Sequence, residues 1–221
     1  MDLDFSPVWD GWRALASGAA VTIEITLAAL ILGCVLGLLI GLGRLNPKRR
    51  IIYGVCTTYL TLIRGTPLLV QLFILFFGLP HFGIQLPAYV CGIFGLGIYS
   101  AAYVSEIVRG SIQSVEKGQM EAARSLGLPY KMAMRKVILP QAFVRMIPAL
   151  GNEFIALIKN SALVSLLTIA DVMHEGEKII SVCYRSLEVY LAIAFIYLML
   201  TSITTLILRR TEKVLRADGR V

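Results

Sequence analysis

Three stretches of this chain run for 18 to 20 residues without one charged side chain: Ile25 to Leu42, Leu86 to Val104 and Val189 to Leu208. About 20 apolar residues, rising 1.5 Å each as a helix, cross the roughly 30 Å hydrocarbon core of a bilayer. Lipid offers the backbone no hydrogen bonds, so a run of this length must satisfy itself as a helix. Two further stretches are long enough despite interior charges. Ile51 to Leu79 contains Arg64, and Val137 to Ile158 contains Arg145 and Glu153. The first span extends back toward Trp12, an aromatic suited to the membrane boundary. The 11 residues from Asn160 to Ala170 are too few to cross, and are expected to re-enter or return to the surface. The expected fold is therefore an all-α integral membrane protein with five transmembrane helices, forming a single domain over residues 1–221.

Composition agrees. Hydrophobic residues make up 57% and charged residues 16% of the chain, too apolar for disorder, a coiled coil or one water-facing enzyme domain. The net charge of +7 does not point to nucleic acid, because 15 of the 21 Lys and Arg residues cluster beside the apolar runs. They lie in Gly43 to Arg50, in Arg109 to Lys136 and in the tail from Arg209 to Arg220. The turn from His81 to Pro87 has none. With five spans, this places the N-terminus outside, the C-terminus inside and all three basic segments in the cytoplasm. The acidic start (Asp2, Asp4, Asp10) does not read as a secretory signal.

Gly33, Gly37 and Gly41 repeat every four residues on the first span, a spacing that lets helix backbones approach closely. Cys34, Cys56, Cys91 and Cys183 have no metal-ligand spacing and read as buried thiols. His174-Glu175 lacks the second histidine of a zinc-protease motif, and GxSxG is absent, so no hydrolytic site or metal centre is expected.

The longest inside segment, about residues 109–136, carries a short helix-forming stretch between Gly118 and Gly127, with Pro129 beyond. Glu121-Ala122-Ala123, then Gly127 after three residues, then Val137-Ile138-Leu139-Pro140 after nine, resembles the EAA signature of ABC-transporter permease subunits. Val137 stands where isoleucine is usual. Arg64-Gly65-Thr66-Pro67-Leu68-Leu69-Val70-Gln71, Ala101-Ala102-Tyr103-Val104-Ser105-Glu106, Gly151-Asn152-Glu153-Phe154-Ile155 and Lys159-Asn160-Ser161 are similar to the polar amino-acid uptake subfamily. The resemblance spans nearly the whole chain.

It implies a permease subunit of an ATP-driven importer in the bacterial inner membrane, working by alternating access. Glu121, Ala122, Ala123 and Gly127 would form a cytoplasmic coupling helix seated in a cleft of a separate ATPase, with Glu121 as the polar contact; a solvated helix charge is the other reading of Glu121. The partners implied are a cytoplasmic ATPase dimer, a second identical or similar permease and a periplasmic or extracellular solute-binding protein. The chain has no GxxxxGK[ST] phosphate loop, so ATP and Mg²⁺ are expected on the ATPase and no cofactor on this chain.

The remaining candidates are polar residues inside spans, where ionisable groups are costly and mark pathways or internal pairs. Arg64 falls about 20 Å into its span, beside Thr66 and the helix-breaking Pro67. A helix broken there can offer free backbone groups to a solute. Arg64 can equally serve a structural kink, paired with Glu106, Glu153 or a carbonyl. On the fourth span Gln141, Arg145, Asn152 and Lys159 share one face, with Glu153 and Asn160 on a second line. Arg64 or Arg145 could meet an amino acid's carboxylate and Glu153 its ammonium, or Glu153 could pair internally. The candidate pathway is Arg64, Thr66, Gln71, Arg145, Asn152, Glu153 and Asn160. The rival reading is an ATP-independent secondary transporter, which would need inverted repeats or an ion relay but no docking loop.

Overall fold

A computed structural model describes residues 3–217; Asp2 and Arg220 lie outside the described residues. The elements in order are α1 (Ser6–Asp10), α2 (Trp12–Gly43), α3 (Arg50–Gly65), α4 (Leu68–Phe73), α5 (Ala88–Ser114), α6 (Lys117–Ser125), α7 (Tyr130–Ala133), α8 (Leu139–Asn160), α9 (Val172–Cys183) and α10 (Ser186–Ala217). Wide-turn and 3₁₀ segments extend α4 to Phe82, join α7 to α8 and carry α8 on through Ser161–Leu167. Among the described residues there are no strands.

Four helical stretches are long and apolar enough to cross a membrane unbroken: Trp12–Gly43, Ala88–Ser114, Tyr130–Leu167 and Ser186–Leu215. The expected span from Ile51 to Leu79 is instead a bent pair, with Arg50–Gly65 and Leu68–Phe82 meeting at 107°. The cause is local. A proline clashes with a helical residue before it, and Thr66 is accordingly extended at φ −122°, ψ 147°. The Asn160 to Ala170 run does not cross by itself: its residues up to Leu167 prolong the Tyr130–Leu167 stretch. Its 3₁₀ turn buries Ser161, Val164 and Leu167 against the other helices.

Helices α2 and α5 lie in parallel and closest contact along the glycine face. A Cβ on Gly33 would fall 2.9 Å from the Ser100 side chain, one on Gly37 2.7 Å from Val104, and one on Gly41 2.8 Å from the Ser105 carbonyl. The bent α3/α4 pair thus carries the chain back to the side from which α2 started. Helix α8 runs antiparallel to both α5 and α10, with Gly151 pressed against Leu208. The main core gathers Ile25, Leu72, Leu96, Leu157 and Val164 from five segments. A second cluster (Val104, Val108, Ile138, Ala142, Met146) lies toward the basic end. Ile31, Leu39, Phe195 and Leu206 stay exposed, as lipid-facing side chains do.

The seam predicts a stability effect. At Gly41 the obstacle is backbone, which cannot rotate aside, so Gly41→Ala is expected to cost about 1 to 3 kcal/mol. Gly54→Ala, whose Cβ would meet nothing within 4 Å, is the control. Thermal unfolding in detergent should show a lowered midpoint for the first only. Equal midpoints would remove the close-packed seam.

At the opposite end from the basic loops, Asp171 caps α9 by accepting from the His174 N–H at 2.9 Å. The Tyr197 hydroxyl of α10 donates to the same carboxylate at 3.3 Å, and the Val172 N–H donates to the Thr22 hydroxyl of α2 at 3.4 Å. The four thiols are free, but only Cys91 is fully buried; Cys34, Cys56 and Cys183 are half-buried.

Candidate transport pathway and coupling surface

The loop between α5 and α8 folds because its ends are fixed. Val115 and Glu116 are extended (ψ 131° and 133°) and stop α5, so α6 starts at Lys117, with Gly118 already inside the helix. Gly127 terminates it at φ +84°, a left-handed conformation that glycine adopts without strain. Ala123 is buried against the bundle, while Glu121, Ala122 and Leu126 face outward, Leu126 at 83% exposure. The helix therefore leaves an acid uncovered on its body and a large apolar side chain uncovered at its end.

The lower half of the α8 polar face supports this loop. Gln141 donates to the Gln119 side chain of α6 at 3.4 Å, and to its own Val137 carbonyl at 2.9 Å. Arg145 donates to the backbone carbonyl of Ser114 and to its hydroxyl, the latter at 3.3 Å. That is the C-terminal end of α5, where free carbonyls attract a cation. Arg145 is thus bonded to the loop's root and not to Glu153. Nearby, Glu106 binds Arg44 from the first loop, and Arg109 at 2.6 Å. Arg109 also donates to Gln113 at 2.7 Å. Glu106 is accordingly engaged away from Arg64.

A second constellation lies near the middle of the bundle. The Ser100 hydroxyl of α5 donates to Glu153 at 2.8 Å. Arg64, in the last turn of α3, sits 5.5 Å from the centre of the Tyr103 ring. A guanidinium over an aromatic face is stabilised by the ring quadrupole. The Tyr99 and Tyr103 rings are 4.9 Å apart with their hydroxyls hydrogen-bonded at 3.0 Å. Ser100, which holds Glu153, directly follows Tyr99 in α5. Arg64 and Glu153 thus flank a tyrosine pair, and the sequence alternatives that paired Arg64 with Glu106 or Glu153 directly do not describe this arrangement.

Thr66 and Gln71 act together at the helix break. The Gln71 amide donates to the Ile63 carbonyl and the Thr66 hydroxyl, both at 2.8 Å, and to the Thr66 carbonyl at 3.1 Å. The Thr66 hydroxyl donates to the Leu62 carbonyl at 2.8 Å. These bonds satisfy carbonyls that the lost helical turn leaves open. The Gln71 side-chain oxygen remains buried without a partner. Asn152 and Lys159 point outward from α8, and Asn160 is half-buried at its end. Among the described residues no group of three or more His, Cys, Asp or Glu side chains could hold a metal ion.

Sequence reasoning missed Ser100 and the Tyr99–Tyr103 pair as members of this constellation. The four-residue spacing of the tyrosines on one helix face was the available signal.

A multi-pass helical bundle, with charged side chains inside it and a short uncovered helix at its basic end, defines the membrane part of a transporter. This chain belongs to the family of binding-protein-dependent transport system inner membrane components, whose pattern it matches over residues 33–217. It is 37% identical, over 99% of its length and all of the other's, to the arginine transport system permease protein ArtQ of Bacillus subtilis (strain 168). It is 36% identical, over 96% of its length and 98% of the other's, to the glutamine transport system permease protein GlnP of Escherichia coli (strain K12). A crystal structure of an amino acid ABC transporter with histidines superposes with a TM-score of 0.91 at 43% identity, covering 96% of this chain and 99% of that one. The MetNI methionine ABC transporter in inward-facing form shares the fold, at a TM-score of 0.72 and 19% identity, covering 90% of this chain and 97% of that one. The chain is a transport subunit of the bacterial inner membrane, not an enzyme.

Proposed function

We propose that this chain is one transmembrane permease domain over its 221 residues, crossing the membrane five times with its N-terminus outside and its basic loops and tail in the cytoplasm. The bent α3/α4 pair counts as the second crossing. Its cargo is a polar amino acid, the class named for the relatives ArtQ and GlnP. A cytoplasmic ATPase dimer holds ATP and Mg²⁺ and receives α6. A second permease copy, identical or similar, covers the outward-pointing Asn152 and Lys159, which lipid would not accept. A solute-binding protein delivers cargo on the far side.

The observation that carries this reading is α6 itself. It is bounded at both ends, bonded to α8 through Gln119 and Gln141, yet uncovered at Glu121, Ala122 and Leu126. A helix so held transmits a push: movement of its outer face must move the roots of α5 and α8. ATP-driven closure of the ATPase then biases one access state over the other. Glu121 makes the polar contact, Ala122 allows close approach, buried Ala123 anchors the helix, and Gly127 gives the turn.

Cargo passes beside the helix break. Glu153, held by Ser100, meets the ammonium; Arg64, over Tyr103, meets the carboxylate; Thr66, Gln71 and Asn160 complete the polar lining. Arg145 takes part through the loop root instead. Purified from its own membranes, the chain should bring with it an ATPase whose hydrolysis in nanodiscs rises when loaded binding protein is added. A chain that purifies alone and carries amino acids without any ATPase overturns the proposal in favour of a secondary transporter.

A further inference from the structure

A crevice of about 390 Å³ opens at the basic end, between the α2–α3 loop and α7. Its walls are Leu42, Leu45, Ile52 and Met134, with Arg49 and Tyr130 at the rim. Three features set it apart from an ordinary loop groove. Lys48, Arg49 and Arg50 stand together and exposed, and among the described residues none of them has an acidic partner within 4.0 Å, in contrast to neighbouring Arg44 on Glu106. Lys131 and Arg135, exposed and likewise without an acidic partner among the described residues, adjoin Tyr130 and Met134 in the chain. One helical turn from the lining residues Leu42 and Ile52, Leu39 is 63% and Val55 66% exposed, and Ile51 is 84% exposed.

The geometry points to a binding site for one anionic phospholipid, with its phosphate at Arg49 and Tyr130, beside Lys48 and Arg50 in the chain, and an acyl chain along Leu42 and Ile52. The charge pattern selects the headgroup and the wall selects the tail. A cluster of cations immediately beside a transmembrane helix attracts anionic headgroups at about a tenfold gain in affinity for each one or two charges. A soluble phosphate would find the rim but leave the apolar walls wet. A zwitterionic lipid would find the walls but gain little from the rim. The site clamps the α2–α3 loop against α7, whose first residue, Tyr130, closely follows the coupling helix. It is independent of which solute crosses the membrane.

The test is native mass spectrometry of the purified transporter complex, titrated with phosphatidylglycerol or phosphatidylcholine of matched chains, and with inorganic phosphate. One phosphatidylglycerol should be held about a hundredfold more tightly than phosphatidylcholine, given one cation lining the crevice and two beside it, none with an acidic partner among the described residues. Inorganic phosphate should not compete at the same concentration. Replacing Lys48, Arg49 and Arg50 with Gln should abolish the preference. Leu45→Trp, which fills the crevice and leaves the charges in place, should weaken both lipids. Equal retention of the two lipids by the natural chain overturns the proposal. So does a preference that survives both variants, or one seen only after the ATPase is stripped away, since the crevice would then be a protein interface.

Discussion

Reversing one charge, Glu121→Lys, is expected to reduce ATP-driven uptake at least about thirtyfold while leaving the permease folded, because disrupting a desolvated interfacial charge pair costs about 2 to 5 kcal/mol. The side chain is exposed in the isolated chain and makes no hydrogen bond there among the described residues, so its replacement disturbs no internal contact. A lysine keeps good helix propensity at this position. The loss should therefore appear in coupling and in ATPase retention, with the thermal midpoint of the permease unchanged. Glu121→Gln should be milder, since it keeps the shape and loses only the charge. Uptake at natural rates by the Lys variant would make Glu121 a solvated charge and move the coupling contact elsewhere on α6.

Glu153→Gln should raise the KM for an amino-acid cargo about tenfold or more, because a hydrogen bond to a charged group contributes about 1.5 to 3 kcal/mol. The amide keeps the size of the carboxyl and an acceptor for Ser100, so the packing of α5 on α8 is preserved. What it removes is the charge of a carboxylate held by Ser100, next to the Tyr99–Tyr103 pair that carries Arg64. Ser100→Ala separates positioning from contact: it frees the carboxylate without discharging it, and should produce a smaller rise in KM. An unchanged KM in Glu153→Gln, with the midpoint altered instead, would make the carboxylate a structural group.

Much of the architecture was legible because lipid imposes a length rule. The uncharged runs read directly as α2, α5 and α10, and the every-fourth-residue glycines read as the α2/α5 seam. Gly127 and Pro129 marked the end of the coupling helix through backbone geometry alone. The beginning of that helix was placed too late, because Gly118 reads as a breaker while the actual stop is the extended pair Val115–Glu116. Pro67 signalled a break but not its 107° angle; beyond the break, Leu72 packs on Gly95 of α5, a contact that spacing along the chain does not reveal. The polar face of α8 was visible as a stripe, yet its division of labour was not. Periodicity gives the face of a residue but not the depth at which a long side chain ends. Arg145 lies on the same stripe as Asn152 and reaches the end of α5, and Gln71 turns out to serve the backbone of the break. Such outcomes follow from tertiary contacts that spacing along one helix cannot encode.

In the proposed function, movement of solute through this chain is driven by ATP on a partner through α6. The most direct measurement is uptake of a radiolabelled amino-acid panel into proteoliposomes containing the purified complex and its binding protein, with ATP or a non-hydrolysable analogue supplied on the ATPase side. Accumulation of a polar amino acid above its outside concentration, with ATP only, is the predicted result. Uptake at the same rate with the analogue would contradict it and leave a transporter that runs without ATP.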